Sequence, residues 1–307
     1  RRFCLRARRR RRVMTSTMSL TIWCNAKFND AADRLLAEGV SGHTLIRAAA
    51  GSSDVLAAGQ PDPNLLTADV AFGQPVAADC AGARRLRWVE VSSAGYTRYD
   101  TPEFRETFRS RGAAFTNASS VFADPCAQHV LAMMLALGRN LLPSYQTQLT
   151  DHAWHYDARR ATSRLLTGQT VLLLGFGAIG RRLSVLLAPL GMTLLAVRRQ
   201  TRSERGVRII AEEQVSAALA TADHVVNVLP ENDSTRNYVN ARRLGCCKPG
   251  AAFYNVGRGP TVDQAALLDA LQSGRLGAAD RDVTYPEPLP PDHPLWTAPN
   301  CFITPHT

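Results

Sequence analysis

The feature that most constrains this 307-residue chain is a short apolar run that ends in three spaced glycines and passes straight into helical spacing. Gln169-Thr170-Val171-Leu172-Leu173-Leu174 leads into Gly175-Phe176-Gly177-Ala178-Ile179-Gly180, and Leu183, Val185, Leu186 and Leu187 follow. A strand feeding a helix through such a turn aims free helix amides at an anion. Gly175 permits the tight turn, Gly177 lets the backbone approach a pyrophosphate, and Gly180 lets the helix pack on the strand. Ala178 and Ile179 supply the first helical turn. The pattern predicts a dinucleotide site.

The next strand predicted is Thr193-Leu194-Leu195-Ala196-Val197, followed by Arg198 and Arg199. An NAD site uses an acidic side chain at this strand end for the ribose 2′-hydroxyl, whereas two guanidinium groups match a 2′-phosphate. NADP(H) is therefore favoured; NAD(H) stays open, because the nearby Glu204 could reach a ribose.

Around this unit the chain alternates β-rich and helix-compatible stretches, which favours parallel sheets. Upstream strands are expected at Leu20–Cys24, Leu45–Arg47, Asp69–Phe72 and Arg87–Val91, with a helix over Ala31–Glu38. Downstream strands are expected near 171–174, 193–197, 224–229 and 251–256. Between the two series, Asp124 reads as an N-cap and Pro125 as a first-turn residue. The helix that follows, Cys126–Leu137, is apolar on nearly every face and must be buried between layers, domains or subunits.

Past the glycine turn come Asn255-Val256-Gly257-Arg258-Gly259, then Asp282-Val283-Thr284-Tyr285-Pro286-Glu287-Pro288, and finally Thr304-Pro305-His306. With the strand–glycine turn, in this order and spacing, these segments make the sequence resemble the D-isomer-specific 2-hydroxyacid dehydrogenases, from about Leu20 to the last residue and most densely from Gly168 onwards. The resemblance spans glyoxylate/hydroxypyruvate reductases and phosphoglycerate dehydrogenase-like members. It implies an α/β protein with two doubly wound parallel-sheet domains, the second a Rossmann dinucleotide-binding domain. Residues 18–117 would form a flavodoxin-like substrate-binding domain, residues 118–300 the NAD(P)-binding domain, and residues 301–307 the start of a return to the first.

The resemblance further implies reversible hydride transfer between a 2-oxo acid and a D-2-hydroxy acid, and assigns the parts. Arg258 would bind and polarise the substrate through a charge-assisted fork. His306 would exchange the proton at the carbonyl oxygen, and Glu287 would orient the imidazole and favour its acid form. Asp282 would contact the nicotinamide carboxamide, while Leu229, Pro230, Asn255 and Val256 would line the cofactor. In the first domain, Ser93, Ala94 and Gly95 follow a strand and resemble the substrate loop, whose N–H groups can hold a carboxylate. Thr116-Asn117 resembles the interdomain hinge, and the apolar helix matches one that packs across a homodimer.

Composition sets the remaining bounds. The net charge of +10 resides largely in the start of the chain, where eight of the first twelve residues are arginine. Taking those eight from 36 basic residues leaves 28 against 26 acidic ones, so the folded body gives no cause to expect nucleic acid. Residues 1–17 read as a disordered basic tail outside the fold, with Met14 or Met18 a natural start; a transit peptide or a nucleic-acid-binding arm are the other readings. Seven cysteines without a C-x-x-C pair fit reduced, cytoplasmic usage, and the histidine spacing suits no metal. No apolar run reaches the roughly 18 residues of a membrane span.

Three departures from the family pattern stand out. Arg281 occupies an aliphatic core position and needs a partner, for which Asp280 is the nearest candidate. Thr284 replaces an aromatic residue. The sequence also stops one residue after His306, where the family continues with a helix, so it reads as a fragment. A rival reading is a cofactor-sensing corepressor with weak or no catalysis.

Overall fold

The computed structural model describes residues 18–52, 59–199 and 203–307. The predicted arginine tail lies outside the described residues. The described residues divide into two compact units, with the boundary between Ala118 and Ser119.

The first unit is a five-stranded parallel sheet built from β1 (Thr21–Ala26), β2 (Thr44–Ser52), β3 (Val70–Gly73), β4 (Trp88–Val91) and β5 (Ala114–Asn117), in the order β2-β1-β3-β4-β5. This is the flavodoxin-like order, which reverses between β1 and β3. Its helices are α1 (Asp30–Gly39), α2 (Ala77–Gly82) and α3 (Pro102–Arg111). Local chemistry sets the limits of α3: the Thr101 hydroxyl caps the Phe104 N–H, Pro102 fixes the first turn, and Gly112 at φ +63° ends the helix. Phe104 and Phe108 from this helix stack and meet Tyr99 and Phe115, closing a core around Trp23, Val89 and Val91.

The second unit carries α4 (Ala123–Gly138), α5 (Leu141–Leu149) and α6 (Tyr156–Thr162), then the doubly wound series. That series comprises β6 (Thr170–Leu174), α7 (Ala178–Leu187), β7 (Thr193–Val197), β8 (Arg208–Ile210), α8 (Val215–Leu219), β9 (His224–Asn227), α9 (Ala241–Cys246), β10 (Ala251–Asn255), α10 (Gln264–Gln272), β11 (Leu276–Arg281) and β12 (Cys301–Ile303). All seven strands are parallel in the order β12-β11-β10-β9-β6-β7-β8, the Rossmann arrangement with its switch point between β6 and β9.

The pleat explains why β6 is apolar from Val171 to Leu174. Leu172 and Leu174 pack into one core with Val225, Phe253 and Leu267, while Val171 and Leu173 pack into another with Leu183, Leu187 and Tyr254. Alternate side chains serve opposite faces, and both faces are covered. Helix α4 covers one of them: Ala127, Val130 and Met134 point into the second core. The helix starts two residues earlier than its sequence suggests. Phe122 is the N-cap residue without a side-chain cap, and Asp124 lies inside the first turn, where it pairs with Arg182 instead.

Candidate active site

Three glycines shape the end of β6, each for a different reason. Gly175 has φ +98°, and a Cβ there would stand 3.3 Å from the Val228 carbonyl oxygen. At Gly180 a Cβ would lie 3.2 Å from the Gly175 carbonyl oxygen, so this glycine lets α7 close on the turn. Gly177 caps α7, and a Cβ there would meet nothing within 4 Å. Open space above a helix N-terminus is the cradle a pyrophosphate needs. Ala178 and Ile179 form the first turn beside it.

A cleft of about 880 Å³ opens from this turn, with Gly175, Gly177, Arg198, Arg199, Leu229 and Pro230 among its walls. Its size and its open glycine edge fit a dinucleotide. Arg198 donates from Nη1 to Glu204 Oε1 at 3.0 Å, and Arg181 donates from Nη2 to the same oxygen at 3.1 Å. Hydrogen bonding from Arg181, then from Arg198, holds the Glu204 carboxyl below the usual carboxylate range. Arg199 is exposed. The lining also holds a guanidinium that local spacing could not reveal: Arg243, stacked 3.6 Å above the Tyr238 ring and ion-paired with Glu212.

The second cluster forms where β10 and β11 end. Asn255 is fully buried, and its polar atoms are spent inside the protein. Its Oδ1 accepts from Asn227 Nδ2 at 2.9 Å and from the Gly257 N–H at 3.2 Å, and its Nδ2 donates to the Arg258 carbonyl at 3.2 Å. Thr261 donates to that carbonyl as well. Asn255 thus braces the turn from beneath, and Val256 is buried beside it. Arg258 itself makes no ion pair among the described residues; its Nη1 donates to the Gly257 carbonyl at 2.6 Å.

Glu287 Oε2 lies 3.0 Å from His306 Nδ1, while Glu287 Oε1 accepts from the Thr284 N–H at 2.8 Å. Burial works to raise the Glu287 carboxyl. Hydrogen bonds from His306 and Thr284, together with the charges of His306 and Arg258, outweigh it and hold the group low. The loop bearing Glu287 presses on the Arg258 turn: a Cβ on Gly259 would overlap the Thr284 carbonyl oxygen at 1.7 Å. Only glycine fits there. Asp282, nearly buried, accepts at Oδ1 from the Thr304 hydroxyl at 2.7 Å and the Thr307 N–H at 3.0 Å. It therefore ties down the segment that carries His306.

Arg281 does not use its neighbour Asp280. Adjacent strand residues face opposite sides of a sheet, and Asp280 turns to His129 Nε2 at 3.1 Å on α4. Arg281 is fully buried; its Nε and Nη2 donate to the Val283 carbonyl at 3.2 and 3.1 Å, and Nη2 also to Gln264 Oε1 at 3.2 Å. Neither contact was legible from spacing.

In the first unit, the loop after β4 is held by Ser93 Oγ donating to the Gly95 carbonyl at 2.6 Å and Asn117 Nδ2 donating to the Ala94 carbonyl at 3.0 Å. The Ala94 and Gly95 N–H groups donate to none of the described residues. Among the described residues no group of three or more His, Cys, Asp or Glu is placed to hold a metal ion, and no helix is long and apolar enough to cross a membrane.

Comparison with known proteins gives a consistent result. Residues 131–307 match the family model described as "D-isomer specific 2-hydroxyacid dehydrogenase, NAD binding domain". A Corynebacterium melassecola protein named for the proB 3′ region is 38% identical over 72% of this chain and 71% of its own length. The human glyoxylate reductase/hydroxypyruvate reductase is 32% identical over 74% of this chain and 69% of its length. The D-3-phosphoglycerate dehydrogenase of Mycobacterium bovis is 30% identical over 74% of this chain, which spans only 42% of that enzyme. Among solved structures, a D-isomer specific 2-hydroxyacid dehydrogenase from Xanthobacter autotrophicus Py2, in complex with NADPH and MES, superposes with a TM-score of 0.78 at 27% identity, covering 94% of this chain and 88% of that one.

Proposed function

This chain belongs to the D-isomer specific 2-hydroxyacid dehydrogenases, and from that premise we propose that it interconverts a 2-oxo acid and a D-2-hydroxy acid with NADP(H) as the preferred cofactor. The observation that carries the reading is the 3.0 Å Glu287–His306 pair, with the Arg258 charge near enough to act on the same carboxylate.

A bound nicotinamide supplies the hydride at the carbonyl carbon. With Nδ1 held by Glu287, His306 presents Nε2 to the carbonyl oxygen, donating the proton in reduction and accepting it in oxidation. Arg258 binds the substrate and polarises its carbonyl. Asp282, whose Oδ1 holds the terminal segment, would help to hold the nicotinamide carboxamide. In the first unit, the Ala94 and Gly95 N–H groups are the donors assigned to a substrate carboxylate. Arg198 and Arg199 favour a 2′-phosphate; the Xanthobacter relative was solved with NADPH. The same reading takes the protein to be a cytoplasmic homodimer.

The test is a panel of glyoxylate, hydroxypyruvate and phosphohydroxypyruvate, each with NADPH and NADH. Turnover with at least one acid is expected, with higher kcat/KM for NADPH, and His306→Ala should cost about 10²–10⁴-fold in kcat while cofactor affinity holds. Binding of reduced cofactor without oxidation on any acid would defeat the enzyme reading, and a higher kcat/KM for NADH would defeat the cofactor preference.

A further inference from the structure

Arg281 poses an energetic problem. Its guanidinium is fully buried, and among the described residues its Nη1 has no hydrogen-bond partner and no carboxylate forms an ion pair with it. Burial pushes the group down to about 10, so it is still protonated at neutral pH. A buried charge is usually matched or exceeded in stability by a well-packed apolar side chain. Something other than core stability accounts for an arginine in this place.

The partners indicate what that is. Arg281 grips the Val283 carbonyl with two N–H groups and reaches Gln264 Oε1, which also accepts from the Tyr285 N–H at 2.9 Å. Gln264 Nε2 returns a bond to the Tyr285 carbonyl at 2.6 Å. Backbone groups at 283 and 285 are thereby held from the strand end and from the first turn of α10. The residue between them, Thr284, donates its N–H to Glu287 Oε1, and its hydroxyl donates to the Pro286 carbonyl at 2.9 Å.

We propose that Arg281 and Gln264 are positioning residues: a clamp on residues 283–285 that holds Glu287 at the distance and angle needed to lock the His306 ring. This rests on the reading of Glu287 and His306 as the acid–base pair. Neither clamp residue touches substrate or cofactor in this scheme. Two features that mark this chain, arginine at 281 and threonine at 284, belong to one device.

The experiment compares Arg281→Leu and Gln264→Leu with the parent chain. Nitrogen-15 NMR of ring-labelled histidine, with His306→Ala to assign the signal, reads the tautomer directly. A ring locked by Glu287 keeps Nδ1 protonated when neutral. Both variants are expected to show averaged ring nitrogens, and kcat lower by about 10²-fold, as a loss of about 1 Å in placement produces, with NADPH affinity within about twofold of the parent. A locked tautomer in both variants overturns the clamp even if kcat falls. Unfolding of both also overturns it, since a device confined to one loop leaves the Rossmann core intact. If the parent oxidises NADPH with no 2-oxo acid, the functional reading fails while the ring signal still judges the clamp.

Discussion

Gly175 and Gly177 stand two residues apart in one turn, yet a side chain would act differently at each. Gly175 needs φ +98° and sits against Val228, so Gly175→Ala should destabilise the fold by about 1–3 kcal/mol. Gly177 has an ordinary φ of −94° and open space where a Cβ would point. Gly177→Val should therefore melt near the parent temperature yet bind NADPH at least about tenfold more weakly, a loss of roughly 1.4 kcal/mol. Calorimetry and fluorescence titration on the same samples separate the two effects; unchanged affinity would remove the glycine turn from the cofactor site. Residue identity alone carried this much, because a glycine motif specifies backbone chemistry. It carried less for histidine. His224 is buried between the Tyr254 hydroxyl at 2.9 Å and Gln169 Oε1 at 2.6 Å, and burial pushes it down to about 4, whereas His306 meets a carboxylate. Only their partners distinguish the two rings.

At the scale of elements, α4 and β11 are tied by the His129–Asp280 pair, a polar contact on a helix whose buried residues Ala127, Val130 and Met134 otherwise pack into an apolar core. The hydrogen bond that His129 donates to Asp280 raises its pKa above the ordinary value, against the opposing effect of burial, with the charges of Asp280 and Asp282 adding to it. A histidine raised on folding contributes stability that is complete below its unfolded value and fades as pH rises through its folded one. Burial also raises the Asp280 carboxyl, a cost of its charge that is present at both pH values, so Asp280→Asn should lower stability more at pH 6 than at pH 9, the two losses differing by about 1–2 kcal/mol. Urea denaturation at the two pH values tests this; an equal loss at both would mean the pair carries no charge-dependent part. The periodicity of α4 announced a buried helix, but its partner across 151 residues of sequence did not show.

At the scale of the molecule, exposed apolar groups gather on α5 and the loop that follows it. Leu141, Tyr145 and Leu149 on α5 are each more than half exposed, and Trp154 is 91% exposed. Large apolar side chains grouped on one surface mark an interaction site, and here they support the proposed self-association. Light scattering on the eluting protein should give about twice the 33.4 kDa chain mass, and Tyr145→Glu with Leu149→Glu should shift it to monomer. A monomeric parent would refute the homodimer.

What the amino-acid order determined by itself was local: the alternation that makes parallel sheets, the glycine turn, and the short motifs around Arg258, Glu287 and His306. Each of these depends on residues within a few positions of one another, where backbone conformation and side-chain type are directly coupled. What only the tertiary structure decided was pairing across the sheet. Asn255 proved to be a brace beneath the Arg258 turn, Asp280 turned from Arg281 to His129, and Arg281 found Gln264 and the 283–285 backbone. Those choices follow from which strand lies beside which and which face each side chain takes, and no local stretch of sequence contains that information.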